Sequence, residues 1–142
     1  MEELLKAAEH ISLFCRLNIN TKRELPIRSS EMGMLIYLCK TDGDKTPMGI
    51  SRFFKVSKAM ATNMVTAMHK KGYITKQPSQ EDRRSNRIIP TPKAMELVEN
   101  AYDEYYKTML TLSEKMGSKN FAALIDLLDQ ANTILLEEKN NG

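Results

Sequence analysis

"TPMGISRFFKVSKAMATNMVTAMHKKGYITK", residues 46–76, decides the fold. Thr46 followed by Pro47 is a helix cap with proline at the first helical position, and it opens a short helix through "MGISRFF". Val56 and Ser57 then make a turn. Ser57 caps a second helix that reaches Lys71 before Gly72 terminates it. Beyond it, "YITK" (73–76) and "RIIP" (87–90) read as two short β-strands, joined through the hydrophilic run "SQEDRRSN" (79–86). Two helices separated by so tight a turn and followed by a hairpin predict a helix-turn-helix with a wing.

The second helix has two faces. Ala61, Met64, Val65 and Met68 stand at i, i+3, i+4 and i+7 and must face the core. The opposite face carries Lys58, Ala59, Thr62, Asn63, Thr66 and Lys70, with Ser57 at its head. These are mostly short hydrogen-bonding groups with cations toward both ends. They suit a major groove, which offers donors and acceptors between two phosphate backbones. A polar helix face is more often merely solvated; what favours recognition is the place of this face, after a turn and before an arginine-bearing hairpin.

Outward from this stretch, charge is segregated. The net charge of the 142 residues is +3. Residues 46–93 nevertheless hold ten basic side chains against two acids, a balance of +8, and the remainder holds eleven basic and sixteen acidic residues, a balance of −5. A basic middle between acidic ends fits a phosphate-binding module inside a larger scaffold. At 42% hydrophobic and 27% charged the chain is globular in composition, and its length is that of one ordinary domain with a core of its own. The N-terminal "MEELLKAAEH" lacks the basic start and apolar run of a secretory signal, no apolar stretch reaches membrane-spanning length, and Cys15 and Cys39 are too few for a disulfide framework. The expectation is a soluble cytoplasmic protein without membrane partners.

The flanks are helical. Leu4, Ala8, Ile11, Cys15 and Ile19 form one stripe of a first helix. Ser30 can cap a helix through "EMGMLIYLCK" whose stripe is Met32, Leu35, Ile36 and Cys39 and which "TDGD" ends. Met95, Val98, Tyr102, Tyr105, Met109, Leu112 and Met116 alternate steps of three and four, a heptad seam suited to packing against another long helix. Gly117 stops that helix, Ser118 can cap the next, and Phe121, Leu124, Ile125, Leu128, Ala131 and Leu135 continue the pattern. A homodimer interface built from both termini would bury these stripes; an internal helical bundle is the plain alternative. The expected organisation is residues 1–28 as an N-terminal dimerisation helix, 29–93 as a winged helix-turn-helix DNA-binding region and 94–142 as C-terminal dimerisation helices. The fold class is mainly α with a small β-hairpin wing.

From Thr46 to Ala94 the chain resembles the MarR (multiple antibiotic resistance regulator) family of winged-helix transcription regulators, and the order and lengths of its flanking helices are similar too. The residues most specific to the match are "KKGYI" (70–74), where a helix ends and a strand starts, and "EDRRSNRIIPTP" (81–92), which looks like the family's Asp-Arg-Arg wing followed by Thr-Pro at the start of a long helix. The resemblance implies a wing that reaches into a minor groove, where concentrated negative potential attracts a guanidinium. Arg84 matches the inserting position and Asp82 the acid that orients it; Arg83 and Arg87 would contact phosphate or neighbouring wing groups. The bland reading is a solvated loop whose acids and arginines pair on the surface to little effect.

The chain also departs from the family pattern. Asn63 and Ala67 stand where the recognition helix often carries arginines, which shifts direct readout, since asparagine suits adenine better than guanine. Pro90 replaces a buried leucine and cannot donate to the hairpin ladder, so pairing is expected to end by Ile89. Ala94 replaces a glycine, which favours the helix, and Ser51 replaces a small apolar residue.

Enzymatic chemistry finds no convergent groups. His10 and His69 lie in different helices with no nucleophile at a useful spacing, neither cysteine forms a metal pattern, and no glycine-rich phosphate loop occurs, so neither an enzyme nor a cofactor is expected. Family resemblance implies a small aromatic or acidic effector ligand. It also raises redox sensing through Cys15 in the first helix, against a plain packed thiol on the stripe with Ile11 and Ile19. The reading is a homodimeric, ligand-responsive repressor on double-stranded DNA with a pseudo-palindromic operator. The alternatives are an antirepressor-like interaction partner without its own operator and a thiol-based redox regulator.

Overall fold

The computed structural model describes residues 1–19, 25–78 and 86–141. Its elements run α1 (Glu2–Ile19), α2 (Ser29–Lys40), α3 (Pro47–Phe54), α4 (Lys58–Lys70), β1 (Ile74–Pro78), β2 (Asn86–Pro90), α5 (Pro92–Met116) and α6 (Ser118–Asn141). They divide into two compact units, residues 23–103 and residues 1–22 with 104–142.

The core of the first unit is built around α2, whose Met32, Met34, Leu35, Ile36, Tyr37 and Leu38 are all buried. A helix that is apolar on nearly every side must be surrounded. Ile27 ahead of α2, Ile50 of α3, Ala61, Val65 and Met68 of α4, Tyr73, Ile74 and Ile88 of the hairpin, and Ala94, Val98 and Ala101 of α5 complete the buried apolar set. The cap of α2 lies earlier than Ser30: its N-cap is Arg28, whose backbone N–H donates to the Glu31 carboxylate at 3.0 Å. A carboxylate three residues into a helix can reach back to the cap N–H, and here it does so in place of a serine.

β1 and β2 pair antiparallel with Ile74 opposite Pro90, Lys76 opposite Ile88 and Pro78 opposite Asn86. Pairing thus runs one residue past Ile89. Pro90 needs no N–H there, because the next donor along the chain, the Thr91 N–H, reaches the Tyr73 carbonyl at 3.0 Å. The Ile88 N–H donates to the Lys45 carbonyl at 2.7 Å, which ties the wing to the segment ahead of α3.

In the other unit the helices are continuous but thinly covered. α6 has no buried residue, and every described side chain of α1 is exposed. Gly117, at φ +87°, separates α5 from α6 in a backbone region that glycine enters without strain. Its carbonyl accepts the Phe121 N–H at 3.0 Å, so Gly117 takes the place at the head of α6 that Ser118 was expected to fill. Within the single chain, the buried face of α5 is a different one from the seam expected to pack against another long helix. Ala94, Val98 and Ala101 are buried, whereas Met95 and Tyr102 are exposed, so that only Val98 belongs to both sets.

Candidate nucleic-acid interface

The turn between α3 and α4 sets where α4 points. Thr46 Oγ1 accepts the Gly49 N–H at 3.1 Å, so α3 starts on a satisfied cap with Pro47 at its first position. α3 ends at Lys55, a non-glycine residue in the left-handed region (φ 54°, ψ 44°). Ser51 holds this strained corner: its hydroxyl donates to the Val56 carbonyl at 2.7 Å, and its carbonyl accepts the Val56 N–H at 3.1 Å. The serine that looked like a modest departure therefore closes the turn. No periodic signal could have found it, because the partner is a carbonyl five residues on. Ser57 Oγ then accepts the Met60 N–H at 3.0 Å and starts α4.

α4 is amphipathic as its spacing demands. Ala61, Val65 and Met68 are buried and Met64 is half-buried. Ser57, Lys58, Ala59, Thr62, Asn63, Thr66 and Lys70 are all exposed and share the other face, while Ala67 is half-buried. The neighbouring elements carry further exposed cations: Arg52 and Lys55 in and after α3, Lys76 on β1 and Arg87 on β2, opposite Gln77. Asp82, Arg83 and Arg84 lie outside the described residues. The polar helix face and the paired base of the wing belong to one compact unit.

The far end of α4 is closed by the expected Gly72 and by side-chain groups the sequence did not announce. Gly72 sits at φ +84°. Lys71 Nζ lies 3.2 Å from the Glu31 carboxylate, and Lys93 Nζ donates to the Lys71 carbonyl at 2.8 Å. These partners are 40 and 22 residues apart in the chain, beyond the reach of a local motif.

Elsewhere, Tyr37, Phe53 and Phe54 form an aromatic cluster with ring centroids 4.6 to 5.8 Å apart. The Tyr37 hydroxyl donates to the Asp44 carbonyl at 2.7 Å, and burial, then the Asp44 charge, push its pKa up. Cys15 is exposed in the single chain. Cys39 is half-buried, and burial pushes its thiol up, away from the reactive thiolate. His10 and His69 are exposed on α1 and α4. Among the described residues no group of three or more His, Cys, Asp or Glu is placed to hold a metal ion, and no helix is long and apolar enough to cross a membrane.

A two-helix turn joined to an antiparallel hairpin is a winged helix-turn-helix, the DNA-binding fold of a large class of transcription regulators. Residues 30–85 match the model of the MarR family. A comparison with curated proteins returns no match. Solved structures of the same fold include a MarR protein from Peptoclostridium difficile, 23% identical, with 93% of this chain and 88% of that one covered at a TM-score of 0.71. Sco3205, a MarR family transcriptional regulator from Streptomyces coelicolor solved in complex with DNA, is 15% identical, with 95% and 92% covered at a TM-score of 0.79. FabT from Streptococcus pneumoniae, also solved in complex with DNA, is 23% identical, with 96% and 94% covered at a TM-score of 0.60.

Proposed function

We propose that this protein is a regulator of the MarR family, a sequence-specific transcription regulator that binds a pseudo-palindromic operator as a homodimer, most simply as a repressor in the cytoplasm. Each subunit presents the exposed face of α4 to a major groove and the wing to the adjacent minor groove. Ser57, Lys58, Ala59, Thr62, Asn63, Thr66 and Lys70 are the groove-facing residues of the helix. Arg84 inserts from the wing, oriented by Asp82, with Arg83 and Arg87 on phosphate. The observation that carries the reading is the division of α4: one face buried in the core, the other wholly exposed, polar and basic at both ends, beside a basic hairpin. That two neighbours of the same fold were solved on DNA supports it. Two-fold symmetry gives half-site centres roughly 34 Å apart.

The dimer has its support in the exposed apolar faces of α1 and α6, which a second copy would cover. On that arrangement residues 1–28 and 94–142 serve dimerisation and 29–93 serve DNA. A small aromatic or acidic effector that releases the DNA is the ligand class that family membership implies, and no catalytic activity is proposed. The test is fluorescence anisotropy of the purified chain on duplexes from a genomic selection, against shuffled duplexes, at several salt concentrations. Preferential binding with a steep salt dependence is the expected result. Equal, weak binding to both sets would replace this reading with that of an interaction partner lacking its own operator.

A further inference from the structure

A helix leaves its last carbonyls without donors of its own. Just past α4 the carbonyls of three consecutive residues are all taken by the start of α5. Lys93 Nζ donates to Lys71 at 2.8 Å, Thr91 Oγ1 donates to Gly72 at 2.8 Å, and the Thr91 N–H donates to Tyr73 at 3.0 Å. The same Thr91 hydroxyl accepts the Ala94 N–H at 3.3 Å, so one side chain both starts α5 and holds the end of α4. The Lys93 ammonium also lies 4.5 Å from the Tyr73 ring centroid, within cation–π range.

From the other side the same helix end is held by α2. Glu31 is the charged residue that is buried among the described residues, at 4% exposure. Its carboxylate accepts the Arg28 N–H at 3.0 Å and faces Lys71 Nζ at 3.2 and 3.4 Å through its two oxygens. A buried carboxylate is tolerated only when paired and hydrogen-bonded, so Lys71 is drawn to one place. The two lysines also bring positive charge to the negative end of the α4 dipole.

We infer that Glu31 and Lys93 are positioning residues for DNA recognition: they fix the end of α4, and with it the rotation and axial setting of the face that runs from Ser57 to Lys70, without touching DNA. The inference rests on the reading of α4 as the recognition helix. It assigns the aim of that helix to α2 and α5 as well as to the α3 turn, so that movement of the first turn of α5 would be felt at the bases.

The test uses the full chain and anisotropy on one selected duplex and its shuffled counterpart. Lys93→Met keeps the aliphatic stem and removes the donors. It should lose about tenfold in affinity for the selected duplex, with little change on the shuffled one and an unaltered salt slope, because bases are misread while phosphate contacts stay the same. Glu31→Gln should act in the same direction, and Lys93→Arg should restore preference. An equal loss on both duplexes with a salt slope smaller by about one would make Lys93 a phosphate contact and overturn the inference. Unaltered preference in Lys93→Met, with the wild type selective, would overturn it alone. A wild type without preference on any duplex would overturn the recognition-helix reading and this inference together. A second measurement needs no DNA. The N–H groups of Lys71, Gly72 and Tyr73 donate to the carbonyls of Ala67, His69 and Met68, and in Lys93→Met their hydrogen exchange should speed about tenfold while α2 exchanges as in the wild type. Unchanged exchange there would sink the clamp.

Discussion

Residues 25–103 and the helices at the two ends of the chain are built on opposite terms. The first region contains the whole buried set of described residues, from Ile27 to Ala101. The terminal helices are as regular and as periodic, yet Leu4 is 71% exposed, Ile11 65%, Leu127 63% and Leu135 66%. Single exposed apolar residues are ordinary, but apolar residues in helical register over successive helices are a face awaiting a partner. The winged helix-turn-helix region satisfies its own hydrophobic pattern within one chain. The terminal helices carry a pattern that one chain leaves open, and we assign its closure to a second copy.

Core truncation should give the largest effect and tests the first half of that contrast. Leu35→Ala empties a fully buried site in α2 and should cost about 2–5 kcal/mol, with a Tm loss that is the same at every protein concentration. The terminal helices should behave differently. The wild-type Tm should rise with protein concentration, and Leu128→Asp, at a site 40% exposed in the single chain, should turn a dimer mass into a monomer mass in light scattering. A monomeric wild type with a concentration-independent Tm would erase the contrast and leave an internal bundle.

Smaller effects should follow within the winged helix-turn-helix region, where two kinds of proposed DNA contact can be told apart by salt. Arg84→Ala should weaken operator binding by about 1–3 kcal/mol if its guanidinium enters the minor groove. Lys58→Ala should weaken binding alike on every sequence and lower the salt slope by about one. Both variants should remain dimers, so that a change of mass in either would mean that the two regions are not separable. Unchanged affinity for Arg84→Ala would leave the wing tip as a solvated loop.

Where the physics is local the sequence was mostly legible, the caps expected at Ser30 and Ser118 excepted, and where it is long-range it was not. Thr46 with Pro47, Ser57 and Gly72 act on backbone groups within a few residues, and each does what its type and place dictate. The buried side of α4 followed from spacing alone. The Glu31 to Lys71 pair and the Lys93 hydrogen bond join residues that only the fold brings together, so no window along the chain contains them. α5 shows a third case. Its apolar residues offer two overlapping stripes, and the large residues Met95 and Tyr102 suggested one phase. The small residues Ala94 and Ala101 are the ones buried, because close packing between backbones rewards the side that can approach most nearly. Periodicity finds that a helix has an apolar side but cannot choose between two.

α5 passes through both regions, and its first half offers the smallest test of what holds it to α2. Lys40 Nζ lies 2.8 Å from Glu99, with both side chains largely in solvent, and 5.8 Å from the centroid of the Tyr102 ring. The hydrogen bond from Lys40, and then its charge, hold the Glu99 carboxyl below the ordinary carboxylate range; the same bond, and then the Glu99 charge, raise Lys40. A carboxyl whose folded pKa lies below its unfolded value of about 4.3 contributes stability above that value and loses it as pH falls through the folded pKa. Lys40 keeps its share until pH rises through its own raised pKa, so the pair is intact across the neutral range. Glu99→Gln should therefore lower Tm at pH 7 by only about 1 °C, since solvent screens an exposed pair. The difference from wild type should persist down to the ordinary carboxylate range and close as pH falls further. A difference that stayed constant into strong acid would mean that the ammonium is not what Glu99 contributes, and that this stretch of α5 is held by the buried Ala94, Val98 and Ala101 and not by the ion pair.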